Sequence, residues 1–210
     1  KTYENEFDKH KDLLNFYPSL NRDEEKYINF YETGFKKRYY QKCFGTNYEK
    51  DIENICLNYF EGLHWTFNYY YNDCPSWNWC YNFRHAPLLS DLIKYFKNPN
   101  TIKLYKSKPQ TPIIQLLSIM PSESKHLFPQ ELHYLFSHVD SPLIGYYPVE
   151  YKLDTLFKKY YWMCSPKLPS IDYNLLKNTV DSIKLSTHQK KKYTKHQVIY
   201  KKANKNIKVI

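Results

Sequence analysis

The chain has 210 residues and a formal net charge of +10, with 42% hydrophobic and 25% charged residues. That balance suits one domain or two small ones, and it excludes a disordered or collagen-like chain. With only 4 Gly against 23 Tyr, 12 Phe and 4 Trp, both glycine-rich phosphate-binding patterns, G-x-G-x-x-G and G-x-x-x-x-G-K-[ST], are missing.

Residues 1–33 read as a polar N-terminal helical or linker segment. Leu13, Leu14 and Phe16 are its apolar group, and Asp23–Glu25 after Asn21 resembles an acid-favoured helix start. The strongest helix is predicted from about Tyr48 to Tyr71. It has no Pro, and Ile52, Ile55, Tyr59, Leu63, Phe67 and Tyr70 recur at steps of three and four. Residues 74–86 alternate loosely through Trp77, Trp79, Tyr81 and Phe83. Their Pro and Asn boundaries favour an extended aromatic loop.

A helix is expected near Pro87, with Leu88, Leu89, Leu92, Ile93 and Phe96 as its apolar face. Residues 97–110 read as a polar loop with two Pro. Another helix follows Thr111-Pro112 and ends before Pro121, and a further one is expected over Pro129–His138. After a Pro-punctuated stretch, a last amphipathic helix begins at Asp172 with Leu175, Leu176, Val180 and Ile183. The fold class is therefore mainly α: an irregular helical domain with long aromatic and Pro-containing loops. Residues 34–183 form its body and 184–210 a Lys-rich tail.

The charge is unevenly placed. No acid follows Asp181, and residues 182–210 hold nine Lys, so the preceding residues carry only about +1. The tail suits counterion-releasing RNA binding and equally suits a solvated extension. Five Cys, an odd number without C-x-x-C, point to a reducing, intracellular compartment, cytoplasmic or nuclear. Cys74, Cys80 and His85 do not have a usual zinc spacing, so no metal site is assigned. No stretch reaches the roughly 20 apolar residues that span a bilayer, and no signal-peptide pattern is visible in the first residues. Lys1 in place of Met points to a processed start or to part of a longer product.

Two groups suit nucleic acid. In the aromatic loop, Trp77, Trp79 and Tyr81 are stacking surfaces beside Arg84 and His85, although the same rings suit a packed core. In Gly34–Lys42, Lys36, Lys37, Arg38 and Lys42 interleave with aromatics. That is a phosphate-facing patch or a solvated helix face. The carboxylates are scattered, with no D-x-D, E-x-E or H-E-x-x-H. Glu61 and Asp91, set among aromatics, are candidates for structural or supporting roles. No catalytic set can be assembled.

Several words then coincide in order: Tyr59-Phe60-Glu61-Gly62-Leu63-His64-Trp65, Tyr69-Tyr70-Tyr71, Ser76-Trp77-x-Trp79, Ala86-Pro87, Ser90-Asp91-Leu92, Met120-Pro121, Ser141-Pro142-Leu143-Ile144 and Leu168-Pro169-x-Ile171-Asp172. Over roughly residues 34–180 the chain resembles the second conserved region, the helical domain, of the Xrn/Rat family of 5′→3′ exoribonucleases. The resemblance implies a helical domain that walls the channel for single-stranded RNA bearing a 5′ monophosphate. By the same implication, a first conserved region, in cis or in trans, supplies the magnesium-binding active site. Trp77 or Trp79 is then expected beside the 5′ nucleotides. Where the family reads Y-P-Y-H-Y-A-P, this chain has Tyr81-Asn82-Phe83-Arg84-His85-Ala86-Pro87, with Arg84 in place of His. The acidic first region is not among the 210 residues, so the chain alone is expected not to hydrolyse RNA or bind magnesium. A non-catalytic RNA-binding or protein-interaction module is the alternative.

Overall fold

The computed structural model describes residue 2, residues 4–96 and residues 102–189. The described residues are mainly helical, as expected, with one short antiparallel pair of strands, β1 (Leu153–Asp154) and β2 (Ser165–Pro166). They fall into two compact units. One lies within 1–109 and 152–166, the other within 110–151 and 167–210. The part of the Lys-rich tail from 190 onward lies outside the described residues.

In the first unit, α1 (Glu6–Asn15) starts where the Asn5 side chain accepts the Asp8 N–H at 2.9 Å. Leu13 and Leu14 stay half exposed, so this helix contributes no buried residue. The short α2 (Tyr17–Leu20) leads to α3 (Asp23–Ile28), whose first turn carries Asp23, Glu24 and Glu25 against the helix dipole. The start lies one residue after the expected Asn21 boundary and has no side-chain cap. Next, α4 (Phe35–Phe44) closes on Gly45 at φ 71°, a left-handed position that a Cβ would strain, with the Gly45 N–H on the Gln41 carbonyl.

The long helix is α5 (Glu49–Tyr71). Only its first two turns are sealed, through Ile52, Ile55 and Cys56. Leu63, Phe67 and Tyr70 of the expected apolar stripe are 52%, 59% and 76% exposed. The core of this unit joins Ile28, Tyr39, Tyr40, Ile52, Ile55, Cys56 and Leu156. Its closing helix α6 (Leu89–Tyr95) corrects the sequence reading. Leu89 and Ile93 face outward, while Leu88 and Leu92 pack on the core and Asp91 is the fully buried residue.

The core of the second unit sets aliphatic residues around Phe128, Phe136 and Tyr147. Here α7 (Pro112–Ile119) starts on Pro as expected, although the Thr111 side chain makes no capping bond. The helix expected over Pro129–His138 is broken. A 3₁₀ turn at Gln130–Leu132 uses tight bonds from Leu132 N to Pro129 O and from His133 N to Gln130 O, and only α8 (Tyr134–Ser137) is α-helical. The tighter turn still seals Leu132, Leu135 and Phe136 together. Asp172 caps α9 (Tyr173–Ser182) by accepting from Asn174 N (2.8 Å) and Leu175 N (3.1 Å).

Candidate nucleic-acid interface

The aromatic loop leaves the end of α5 and folds back along it. Trp65 anchors it, since its indole N–H donates to the Ser76 carbonyl at 2.7 Å. Trp65 stacks on Tyr69 (5.1 Å, 9°) and on Trp79 (6.2 Å, 23°), which makes a continuous run of rings. Trp79 Nε1 donates to Glu61 Oε2 at 3.3 Å, and Asn58 donates to the same oxygen at 2.8 Å. Glu61 therefore fixes the Trp79 ring. The ring edge lies over Gly62, where a Cβ would sit 2.8 Å from Trp79 Cη2. Glycine in mid-helix costs about 1 kcal/mol against Ala and here admits the indole.

Further along, Tyr81 meets Tyr59 edge-on (5.6 Å, 81°) and donates its hydroxyl to the His85 carbonyl at 2.7 Å. Burial pushes the Tyr81 phenol well above its ordinary range. The far end of the loop is clamped three times. Tyr39 donates to the Ala86 carbonyl (2.6 Å), Arg84 Nη1 to the Pro166 carbonyl (2.9 Å), and His85 Nε2 lies 3.1 Å from Asp154 Oδ2. The β1–β2 pair thus holds the loop by two adjacent residues.

Trp77 differs from its neighbours. Its ring is 54% exposed, yet its backbone is fixed, because the N–H groups of Trp77 and Asn78 both donate to Ser107 Oγ, at 2.8 and 3.0 Å. Ser107 comes from the segment read as a polar loop, and sequence reasoning missed it. The available signal was the spacing Lys103-x-Tyr105-Lys106-Ser107-Lys108, which interleaves cations with an aromatic.

Three of the four α4 cations are tied to the protein's own groups, and Lys37 is exposed. Lys36 Nζ is 2.5 Å from Asp91 Oδ1, and Tyr40 donates to Asp91 Oδ2 at 2.8 Å while accepting the Leu88 N–H at 3.2 Å. Burial, and then the Asp91 bond, raise the Tyr40 phenol. Arg38 donates to four carbonyls, those of Ile28, Asn29, Glu32 and Thr33, and so organises the turn before α4. Lys42 pairs with Glu24 at 2.8 Å. The structure joins Trp79 to Glu61 and places Trp77 and Tyr81 in the same loop, but commits Lys36, Asp91 and Arg38 to contacts within the scaffold.

Burial pushes the Cys43 and Cys56 thiols up to about 12 and about 11, which holds them protonated. Among the described residues no three His, Cys, Asp or Glu side chains could together hold a metal ion. No described helix is long and apolar enough to cross a membrane.

These features define a class: a mainly helical domain with a stacked aromatic wall. Residues 4–210 match the family described as the Xrn1 helical domain, and the chain belongs to that family. It is 36% identical over 158 residues to the 5′-3′ exoribonuclease 2 of Candida albicans, covering 73% of this chain and 16% of that protein. It is 35% identical over 175 residues to the 5′-3′ exoribonuclease 2 homolog of Caenorhabditis elegans, covering 80% and 18%. Against the 5′-3′ exoribonuclease 2 of Schizosaccharomyces pombe it is 35% identical over 160 residues, covering 74% and 16%. The chain thus spans less than a fifth of the length of these relatives.

Proposed function

We propose that this chain is the helical domain of a 5′→3′ exoribonuclease and forms one wall of the path of single-stranded RNA. The magnesium-dependent hydrolysis of a 5′-monophosphorylated strand belongs to another region or another chain. Support for the reading comes from the family and from one feature of the loop: Trp77 presents an exposed ring on a backbone held by Ser107. A rigid exposed ring stacks on any base at little ordering cost, which is what a channel needs if it passes every sequence.

The other candidate residues divide by what they touch. Trp79, Tyr81, Glu61 and His85 brace the aromatic loop that carries Trp77, and Arg84 fixes the loop to β2. Lys36, Arg38 and Asp91 hold the scaffold. The site of action is intracellular, in the cytoplasm or the nucleus.

Two assays test this. Incubated with 5′-monophosphorylated RNA and magnesium, the chain alone leaves the RNA intact, and processive hydrolysis would overturn the division of labour. In RNA binding, Trp77→Ala weakens affinity about tenfold, the scale of one lost base stack. Unchanged affinity would remove Trp77 from the path. A second reading, a non-catalytic RNA-binding module, draws on the nine Lys of residues 182–210. Under it, deleting 184–210 removes most of the affinity together with its salt dependence.

A further inference from the structure

Behind Trp77 lies a second feature. An open cleft of about 490 Å³ runs between the Trp79 side of the aromatic loop and the extended segment 103–107. That volume falls within the range of small-ligand sites. One wall is the edge of Trp79 with Asn78 and Glu61, and the other is Lys103, Tyr105 and Lys106. The two walls are locked together by Ser107 Oγ, which accepts from Trp77 N and Asn78 N.

The chemistry of the walls is specific. Residues 102–110 carry three Lys and no acid. Lys103 and Lys106 line the cleft and make no ion pair among the described residues. Two ammonium groups lining one cleft attract phosphate. Tyr105 is 82% exposed, and no ring of the described residues stacks on it. Among the described residues Glu61 commits Oε2 to protein donors and leaves Oε1 as an acceptor in the wall. A bare polyanion has no donor for that acceptor, while a nucleotide offers a ribose hydroxyl or a base amino group.

We propose that this cleft binds one nucleotide unit of single-stranded RNA. Lys103 and Lys106 take its phosphates, Tyr105 stacks its base, and Glu61 Oε1 accepts from its sugar or base. The site continues the path across the loop from Trp77, and it rests on the reading of the chain as an RNA-channel wall. It goes beyond that reading by assigning a second RNA-binding position to the segment 103–107.

The test uses the full 210-residue chain and a labelled 5′-monophosphorylated oligouridylate. Lys103→Glu with Lys106→Glu should weaken binding at least tenfold. It should also flatten the salt slope by about 1.4, at roughly 0.7 for each phosphate of a single strand that is no longer neutralised. Tyr105→Ala should weaken binding about tenfold without changing the slope. The same charge reversal at the exposed Lys125, in the other unit, should change neither. Photo-crosslinking with 4-thiouridine should place adducts on the peptides containing Tyr105 and Trp79.

RNA binding that depends on Trp77 but ignores Lys103, Lys106 and Tyr105 overturns the cleft and leaves the channel reading standing. Crosslinks absent from both the Trp77 and the Tyr105 peptides overturn both readings. Displacement of the RNA by an acidic peptide of equal charge, as efficiently as by unlabelled RNA, reassigns the cleft to a protein partner and overturns the proposal.

Discussion

The two units are built on different kinds of core. In the first, Tyr39, Tyr40, Asp91 and Asp154 are buried among aliphatic residues, and hydrogen bonds tie them to elements far away in the chain. In the second, Ile113, Ile114, Leu117, Leu132, Leu135 and Leu143 fill space with Phe128 and Phe136, no described charged residue is buried, and Ser141, Thr179 and Tyr147 bond to single carbonyls. Directional contacts fix a unique arrangement at the cost of desolvating polar groups, whereas apolar packing tolerates exchange if volume is kept. The unit that carries the aromatic loop is the one held by directional contacts.

The largest effect that would sharpen this contrast is expected at Lys36. Lys36→Met keeps the length of the side chain but leaves Asp91, 1% exposed, without its cation, and should cost about 3–5 kcal/mol in chemical denaturation. A loss below about 1 kcal/mol would break the contrast, because the network would then be dispensable. In the second unit, Leu135→Ala should cost about 2–5 kcal/mol, while Leu135→Met should cost less than about 1.5. If the Met variant is as damaged as the Ala variant, shape and not volume governs that core too.

A smaller effect is expected at Gly62. Alanine there gains about 1 kcal/mol of helix propensity but must displace the Trp79 ring, an overpacking cost of about 1–3 kcal/mol. Gly62→Ala should therefore lower stability by about 1 kcal/mol and reorient Trp79, visible in near-ultraviolet circular dichroism. A stabilised variant with unchanged spectra would show that the ring has room.

The smallest effect is nil at neutral pH and appears only in alkali. The folded first unit holds the protons of Cys43 and Cys56 up to about 12 and about 11, against an ordinary thiol value of 9.0. Above pH 9 the unfolded chain releases protons that the folded chain retains, so stability falls as pH rises from 9 toward 12. Tyr39, Tyr40 and Tyr81 are raised by burial and add to the loss, while the second unit has Tyr147, raised to about 12. Methyl signals of Ile52 and Ile55 should broaden before those of Ile113 and Ile114 as pH is raised. The reverse order would contradict the contrast.

Legibility in the sequence followed the same division. Regular signals were readable: the uninterrupted stretch of α5, the Pro start of α7 and the Asp172 cap of α9 each act within a few residues. The rings of the loop were visible as a cluster, but which of them is exposed depends on Glu61, Gly62 and Ser107, 18, 17 and 30 residues from the rings or loop atoms they hold. Asp91 and Lys36 lie 55 residues apart, and neither periodicity nor spacing carries such a pairing. Segment 103–107 has no period because its residues answer to no regular face. Its cations read as a polar loop until the fold set Trp79 opposite.

The sorting of the tryptophans has a practical consequence. Trp65 and Trp79 are stacked and only partly exposed, so they should contribute a paired circular-dichroism signal and be quenched less than an open ring. Trp77 and Trp162, at 54% and 72% exposed, are open to iodide or acrylamide. With Trp162 replaced by Phe, the quenchable emission of the protein comes chiefly from Trp77. The chain then carries its own optical label at the loop, and occupancy there can be followed in real time without a dye.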